Sequence, residues 1–317
     1  MMVRMSLVGR FLWVAGVSAC VLGSAMAASA ESSASRGAAF AAKPFRLGAA
    51  PVAVAASGGA VWVVVEQSDQ QAALWKVDPQ SGKRLAAFRI GKAGPDFGAV
   101  TATQHAVYAA AGRHLLRVSV RDQRILRARL DGEAAAITAG SASVSVATVG
   151  ARNADTRFTS TSLTAQARVV LTVQPVALQT WRGSVWMAST SGLWRVVADR
   201  LVPARLAGAL PVAVATRQDK LWLLQQDEQI IAIDRRGSVR ERLPLPFPPD
   251  SFAVAQSRIW VTNNCGCNTG EVALLDLNGQ TRIVRIGRTL VAIAATLRSA
   301  WVASFGDETL WRLTDPS

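Results

Sequence analysis

Residues 51–90 read PVAVAASGGAVWVVVEQSDQQAALWKVDPQSGKRLAAFRI, and the way this stretch divides decides the fold. It opens on a proline and a run of small residues, Pro51 to Ala55, suited to a crowded interior. Val61-Trp62-Val63 follows, then Ala73 to Val77, each with the length and the β-branched or aromatic content of a strand. Asp78-Pro-Gln-Ser-Gly82 is a turn, because Asp bonds the backbone two residues on and Gly tolerates positive φ. Arg84 to Ile90 then alternates in polarity like a strand with one face in water. Four strands, a to d, therefore fit into a unit of about 40 residues.

The unit recurs. Its aromatic signature returns as Val107-Tyr108-Ala109, Val185-Trp186-Met187, Leu221-Trp222-Leu223, Ile259-Trp260-Val261 and Ala300-Trp301-Val302, with Val144-Ser145-Val146 as a degenerate member. The central positions are spaced 46, 37, 41, 36, 38 and 41 residues apart, the repeat length of a four-stranded propeller blade. Small-residue strands precede the aromatics at Pro211 to Ala215 and Val291 to Ala295, and Asp-to-Gly turns recur at Asp234–Gly237 and Asp276–Gly279. The expectation is an all-β, seven-bladed β-propeller. A large barrel or sandwich could use the same aromatic strands, but the repeated turn and the proline restart argue against it. The last unit stops after strand c, at Thr309 to Leu313, whereas Phe45-Arg46-Leu47-Gly48 has the strand-d pattern and no blade of its own. That N-terminal strand is predicted to pair beside Leu310 to Leu313 and close the ring, which removes open sheet edges.

Residues 1–30 are expected to be a signal peptide. Arg4 and Arg10 supply the positive end, Phe11 to Leu22 is a short apolar run, and Ala25-Met26-Ala27 or Ala28-Ser29-Ala30 offers a cleavage site. Val17-Ser18-Ala19-Cys20 also fits a lipobox, in which case Cys20 would be lipidated and anchor the protein. Residues 31–44 read as a flexible Ser/Ala-rich lead-in, and residues 45–317 as one propeller domain. The expected location is the periplasm or the exterior, with no membrane-spanning segment once the signal is removed. Without residues 1–30 the chain has 33 Lys plus Arg against 21 Asp plus Glu, a net charge of +12. Such a basic exported protein suits a protein partner or an anionic envelope component, and not nucleic acid; a compositional preference for Arg explains the excess equally well. The cations are scattered along the chain rather than run together. A monomer is expected.

The pattern P-x-x-V-A, V-W-V, I-D-x-x-G resembles the propeller superfamily of the virginiamycin B lyases (streptogramin lyases) and the YVTN-repeat proteins, over about Phe45 to Asp315. The resemblance implies the fold. It also implies a magnesium-dependent lyase with histidine and acidic residues at the channel mouth, but the last blades of this chain contain no histidine, so no catalytic residue is carried over.

In such propellers the b–c and d–a loops build the mouth. They supply Glu66, Asp69, Asp96, Arg113, His114, Arg152, Arg157, Asp250, Asn263, Asn264, Arg288, Asp307 and Glu308 as candidate ligand contacts. His105 falls in an a–b turn on the other face. Cys265 and Cys267, separated by one glycine, have three readings: a strained loop disulfide, a thiol-redox pair, or two ligands for copper or zinc that need a third from an Asn, Asp307 or His114. No phosphate-binding Gly-rich loop, H-E-x-x-H, G-x-S-x-G or haem-attachment motif is present. The tryptophans follow the blade period and read as core. The leading expectation is an exported, non-catalytic binding or scaffold protein with no cofactor. The alternatives are a divalent-metal-dependent lyase or hydrolase, and a copper-, zinc- or thiol-based protein acting through Cys265 and Cys267.

Overall fold

The computed structural model describes residues 40–67, 69–93, 98–197, 199–204, 206, 210–217, 219–256, 258–264, 269–276, 280–297 and 299–315. The described residues form seven four-stranded antiparallel sheets. Strand β1 (Ala41–Arg46) comes first. Blade 1 contains β2 (Ala50–Ser57), β3 (Ala60–Glu66), β4 (Gln71–Val77) and β5 (Arg84–Lys92). Blade 2 contains β6 (Ala99–Ala102), β7 (Ala106–Ala111), β8 (His114–Ser119) and β9 (Ile125–Arg129). Blade 3 contains β10 (Glu133–Ala139), β11 (Ser143–Val149), β12 (Ala154–Thr159) and β13 (Ala165–Val170). Blade 4 contains β14 (Pro175–Trp181), β15 (Ser184–Ser189), β16 (Gly192–Val197) and β17 (Arg200–Pro203). Blade 5 contains β18 (Pro211–Arg217), β19 (Lys220–Gln225), β20 (Gln229–Ile233) and β21 (Val239–Pro244). Blade 6 contains β22 (Ser251–Ala255), β23 (Arg258–Asn263), β24 (Gly270–Asp276) and β25 (Thr281–Ile286). Blade 7 contains β26 (Leu290–Ala295), β27 (Ser299–Ser304) and β28 (Thr309–Thr314), with β1 as its fourth strand.

Ring closure occurs on the predicted strand, with different bounds. The closing strand spans Ala41–Arg46, not Phe45 to Gly48, so residues 41–44 of the expected lead-in belong to the sheet. Phe45 lies opposite Leu310 and Lys43 opposite Arg312. The reason is the one-sided pattern of an outer strand: only Phe45 is buried, and Pro44 is tolerated because an edge strand has unpaired N–H positions to spare. Phe45 stacks on Trp301 with ring centroids 5.8 Å apart. On its other side lies Gly82, where an added Cβ would come within 2.0 Å of the Phe45 ring; Gly82 also has φ +70°. Gly48 follows the strand as a turn residue with φ +69°.

The core lies between blades. Trp62, Trp222, Trp260 and Trp301 are each at most 2% exposed. Trp62 packs with Val107, Ala109 and Leu116 of the next blade, so each aromatic wedges one sheet against its neighbour. The residue directly across on strand c is often a cation, and Lys76, Arg195 and Arg312 lie 5.6–5.9 Å from the rings of Trp62, Trp186 and Trp301. Strand a carries a bulge just after its first residues in blades 1, 3, 4, 5 and 7, for example between Pro51 and Ala53. No helix among the described residues is long and apolar enough to cross a membrane.

Candidate functional site at the loop face

Because the four strands of a blade alternate in direction, the b–c and d–a loops emerge on one face, and hydrogen bonds tie them together. Leu47 N–H donates to Glu308 O (2.9 Å), Leu130 N–H to Arg113 O (2.9 Å), Leu245 N–H to Glu228 O (2.8 Å) and Gly306 N–H to Arg288 O (3.0 Å). The third residue after each blade's central strand-b position marks where strand b reaches this face. These residues are Val65, Ala111, Thr148, Ser189, Gln225, Asn263 and Ser304, all at most 6% exposed. Five consecutive blades therefore place a buried polar group there. Three of the five are satisfied locally. Thr148 Oγ1 donates to Ala154 O (3.3 Å), Ser189 Oγ accepts from Trp194 Nε1 (2.9 Å), and Ser304 Oγ both accepts from Arg288 N and donates to Arg288 O (2.8 Å each).

Blade 3 leaves Glu133 Oε2, at the start of β10, and Asp155 Oδ1 without a partner, and blades 5 and 7 each leave one more group at this face. Gln225 Nε2 and Asp307 Oδ1 are buried atoms without a hydrogen-bond partner in the protein. A buried polar atom left in this way costs about 1–3 kcal/mol, so such atoms single out a surface. Asp250 is the third feature. Its carboxylate accepts the backbone N–H of Asn264, and burial raises its pKa despite that bond. The residue as a whole is exposed, so its carboxyl group is sheltered at the foot of an open loop. Arg288 and Glu308 are exposed on the same arc, and Glu308 takes a positive φ of 53° in the b–c loop of blade 7. Gly306 lets that loop lie close to Arg288, since a Cβ there would meet the Arg288 backbone oxygen at 3.1 Å.

The structure brings Asp250, Asn263, Asn264, Arg288, Asp307 and Glu308 onto this arc and separates other candidates from it. Asp69 closes its own turn by accepting the Gln71 N–H at 3.1 Å. Arg113 bonds the carbonyls of Leu130 and Asp131. His114 opens β8 and packs flat on Gly91 of blade 1, where an added Cβ would sit 2.3 Å from the ring. Glu66 is the last residue of β3 rather than a loop residue, and Arg152 is exposed on the blade 3 loop. Arg157 lies inside β12 and reaches away from the mouth to an ion pair with Asp199 (2.8 Å) in the c–d turn of blade 4. Asp96, Cys265 and Cys267 lie outside the described residues, and with them the disulfide, redox and metal readings of the cysteine loop. Among the described residues no three His, Cys, Asp or Glu are grouped so as to hold a metal ion.

Two buried groups fall inside b–c segments, residues 150–157 and 225–228, that the sequence offers only as loop surface, and aligning the repeat singles out both. Gln225 stands three residues after Trp222, as Asn263 and Ser304 do after their tryptophans. Asp155 stands two residues before the partner of the central strand-b residue. Leu74, Leu115, Leu193, Ile230, Val272 and Leu310 fill that position in the other blades. Asp155 is 2% exposed and its Oδ1 has no partner in the protein. Burial pushes its pKa up to about 7 against the opposing charge of Arg157.

No family model and no curated protein matches the chain. Solved structures do. The WD40 domain of Pan2 from Neurospora crassa is similar at 12% identity with a TM-score of 0.66, over 85% of this chain and 90% of that one. At that identity the likeness concerns the fold.

Proposed function

We propose that this propeller is an exported, non-catalytic binding scaffold that holds a protein partner at the arc of the loop face formed by blades 5 to 7. The observation that carries the reading is the pair of buried, unpartnered groups Gln225 Nε2 and Asp307 Oδ1, a donor and an acceptor on the same arc as Arg288 and Glu308. A partner's backbone or polar side chains complete such groups, and rigid blades hold them in register while loop residues set specificity. The propeller likeness to a WD40 domain supports the scaffold reading at the level of architecture.

Affinity capture from the native host, with Arg288→Ala and Asp307→Asn beside the wild type, tests it. The expected result is a partner retained by the wild type and lost at least about tenfold by each variant, the cost of about 1.4 kcal/mol or more for a buried polar contact. Equal capture by all three overturns the mouth as the binding surface. Small-molecule turnover with divalent-ion-dependent stabilisation in a thermal melt would replace the scaffold by the lyase or hydrolase alternative. Thiol and metal counts on the purified protein decide the Cys265–Cys267 alternatives.

A further inference from the structure

The cations that are scattered along the sequence are not scattered in space. The seven outer strands, β1, β5, β9, β13, β17, β21 and β25, contain thirteen Lys or Arg and one acid, Glu241. The inner strands that line the channel contain one cation, Arg217, and one acid, Glu133. The rim is uneven in turn. Around blades 3 to 6, Arg168 pairs with Asp131, Arg240 with Asp234, Arg282 with Asp315 and Arg285 with Glu271, at 2.6–3.2 Å. On the outer strands of blades 7, 1 and 2 stand Lys43, Arg46, Arg84, Arg89, Lys92, Arg127 and Arg129. All seven are exposed, and among the described residues none has an ion pair with a carboxylate.

Register sorts six of them into two tiers. Arg46, Lys92 and Arg129 lie opposite Thr309, Gln71 and His114, the first residues of their strands c, at the mouth end. Lys43, Arg89 and Arg127 lie lower, opposite Arg312, Ala73 and Leu116. Each tier presents one cation per blade on three successive blades. The surface is continuous: Arg127 donates to Arg89 O (3.2 Å) across one blade junction and Lys43 to Gln80 O (3.1 Å) across the other. Several of these side chains are also held in place, Arg89 by Gln71 Oε1 (3.0 Å) and Arg84 over the Trp75 ring (4.5 Å).

We infer that this blade 7–1–2 rim is a docking track for a flexible linear polyanion carrying phosphate or carboxylate groups. Charge complementarity selects an anion, and five of the seven cations are arginines, whose planar forks match such groups. Shape selects a linear chain over a lipid surface. The three outer strands are spread over two-sevenths of a convex circumference, so a flat bilayer tangent to one blade leaves the cations of the others turned away, whereas a flexible chain follows the curve. The track meets the loop-face arc at blade 7, where Leu47, next to Arg46, donates to Glu308 O, and runs from there away from the arc onto blades 1 and 2.

The test measures binding of long-chain polyphosphate and of poly-L-glutamate to the purified chain at several salt concentrations, with phosphatidylglycerol vesicles as a third probe. The triple variant Arg46→Glu, Lys92→Glu, Arg129→Glu is compared with Arg200→Glu, Arg235→Glu, Arg242→Glu. The second set changes net charge equally at exposed positions on blades 4 and 5. A matching triple Gln variant guards against misfolding, with circular dichroism melts as the check. The expected result is polymer binding weakened at least about tenfold by the first triple, with its salt slope reduced by about 2, and less than about threefold by the second. Polyphosphate and polyglutamate arms then tell which anionic group is preferred. Equal losses in both triples, no polymer binding by the wild type, or binding confined to vesicles each overturns the track.

Discussion

Asp155 places a carboxyl where six other blades place a leucine, isoleucine or valine, and its buried Oδ1 finds no hydrogen-bond partner. Its neighbours across the sheet are Ala147 and Val169, and these pack on Leu178, Met187 and Val196 of blade 4. The charge that opposes the shift is Arg157, two residues on in β12, and Arg157 is already committed to an ion pair with Asp199. A pKa of about 7 in the folded chain, against the usual aspartate value of 3.8, has a definite sign. The folded state holds the proton more tightly, so the ionisation of this residue costs no stability at low pH. The cost grows as pH rises above about 4 and levels off above about 7, reaching on the order of 4 kcal/mol. Asp155→Asn should flatten the pH dependence of stability between pH 5 and 8, and Asp155→Leu should raise Tm at pH 8 by roughly 5–10 °C. Identical melting curves for wild type and both variants at pH 8 would contradict the buried, unpaired carboxyl. Nothing local in the sequence marks Asp155, because an acid in a polar strand reads as solvated; only alignment to the other blades exposes it. Ser145 was legible as the degenerate aromatic position, but its consequence was not. With no ring to cover, Arg157 leaves the mouth and crosses to blade 4.

At the level of elements, the closing strand is where a short sequence decides a long-range contact. The alternation that predicted it is real, yet β1 begins at Ala41, where Phe40 just before it packs on Trp260 with ring centroids 5.4 Å apart, and within the strand only Phe45 is buried. That side chain is clamped between Trp301 and Gly82. Removing residues 1–39 should therefore leave the cooperative thermal transition in place, whereas removing residues 1–46 should lower Tm sharply and expose β28 as an open edge prone to association. Phe45→Ala should lie between the two, costing about 3 kcal/mol or more in denaturant unfolding. If the two truncations melt alike, β1 does not close the ring. Blade number and strand order were readable because the strand-b signature recurs at blade spacing and the Asp-to-Gly turns of blades 1, 5 and 6 mark where strand c ends. Strand a's bulges and the extension of β12 to Arg157 were not, since both depend on how neighbouring strands settle against each other.

For the whole molecule, the propeller separates three surfaces that the linear sequence interleaves: an apolar set of blade junctions, a polar loop face, and a rim whose charge is exposed on blades 7, 1 and 2 and largely paired on blades 3 to 6. The candidate mouth was legible as a set of loops, but not its focus on blades 5 to 7. That focus comes from Asp250, Asn264, Arg288 and Glu308 gathering there beside the unpartnered Gln225 Nε2 and Asp307 Oδ1. Its most direct measurement is photo-crosslinking in cells from a reactive amino acid placed at Arg288 or Glu308 on the loop face, compared with His105 and Arg236 in turns on the opposite face. The scaffold reading predicts a discrete crosslinked partner from the two loop-face positions and none from the opposite turns; equal or absent crosslinking at all four positions would contradict it.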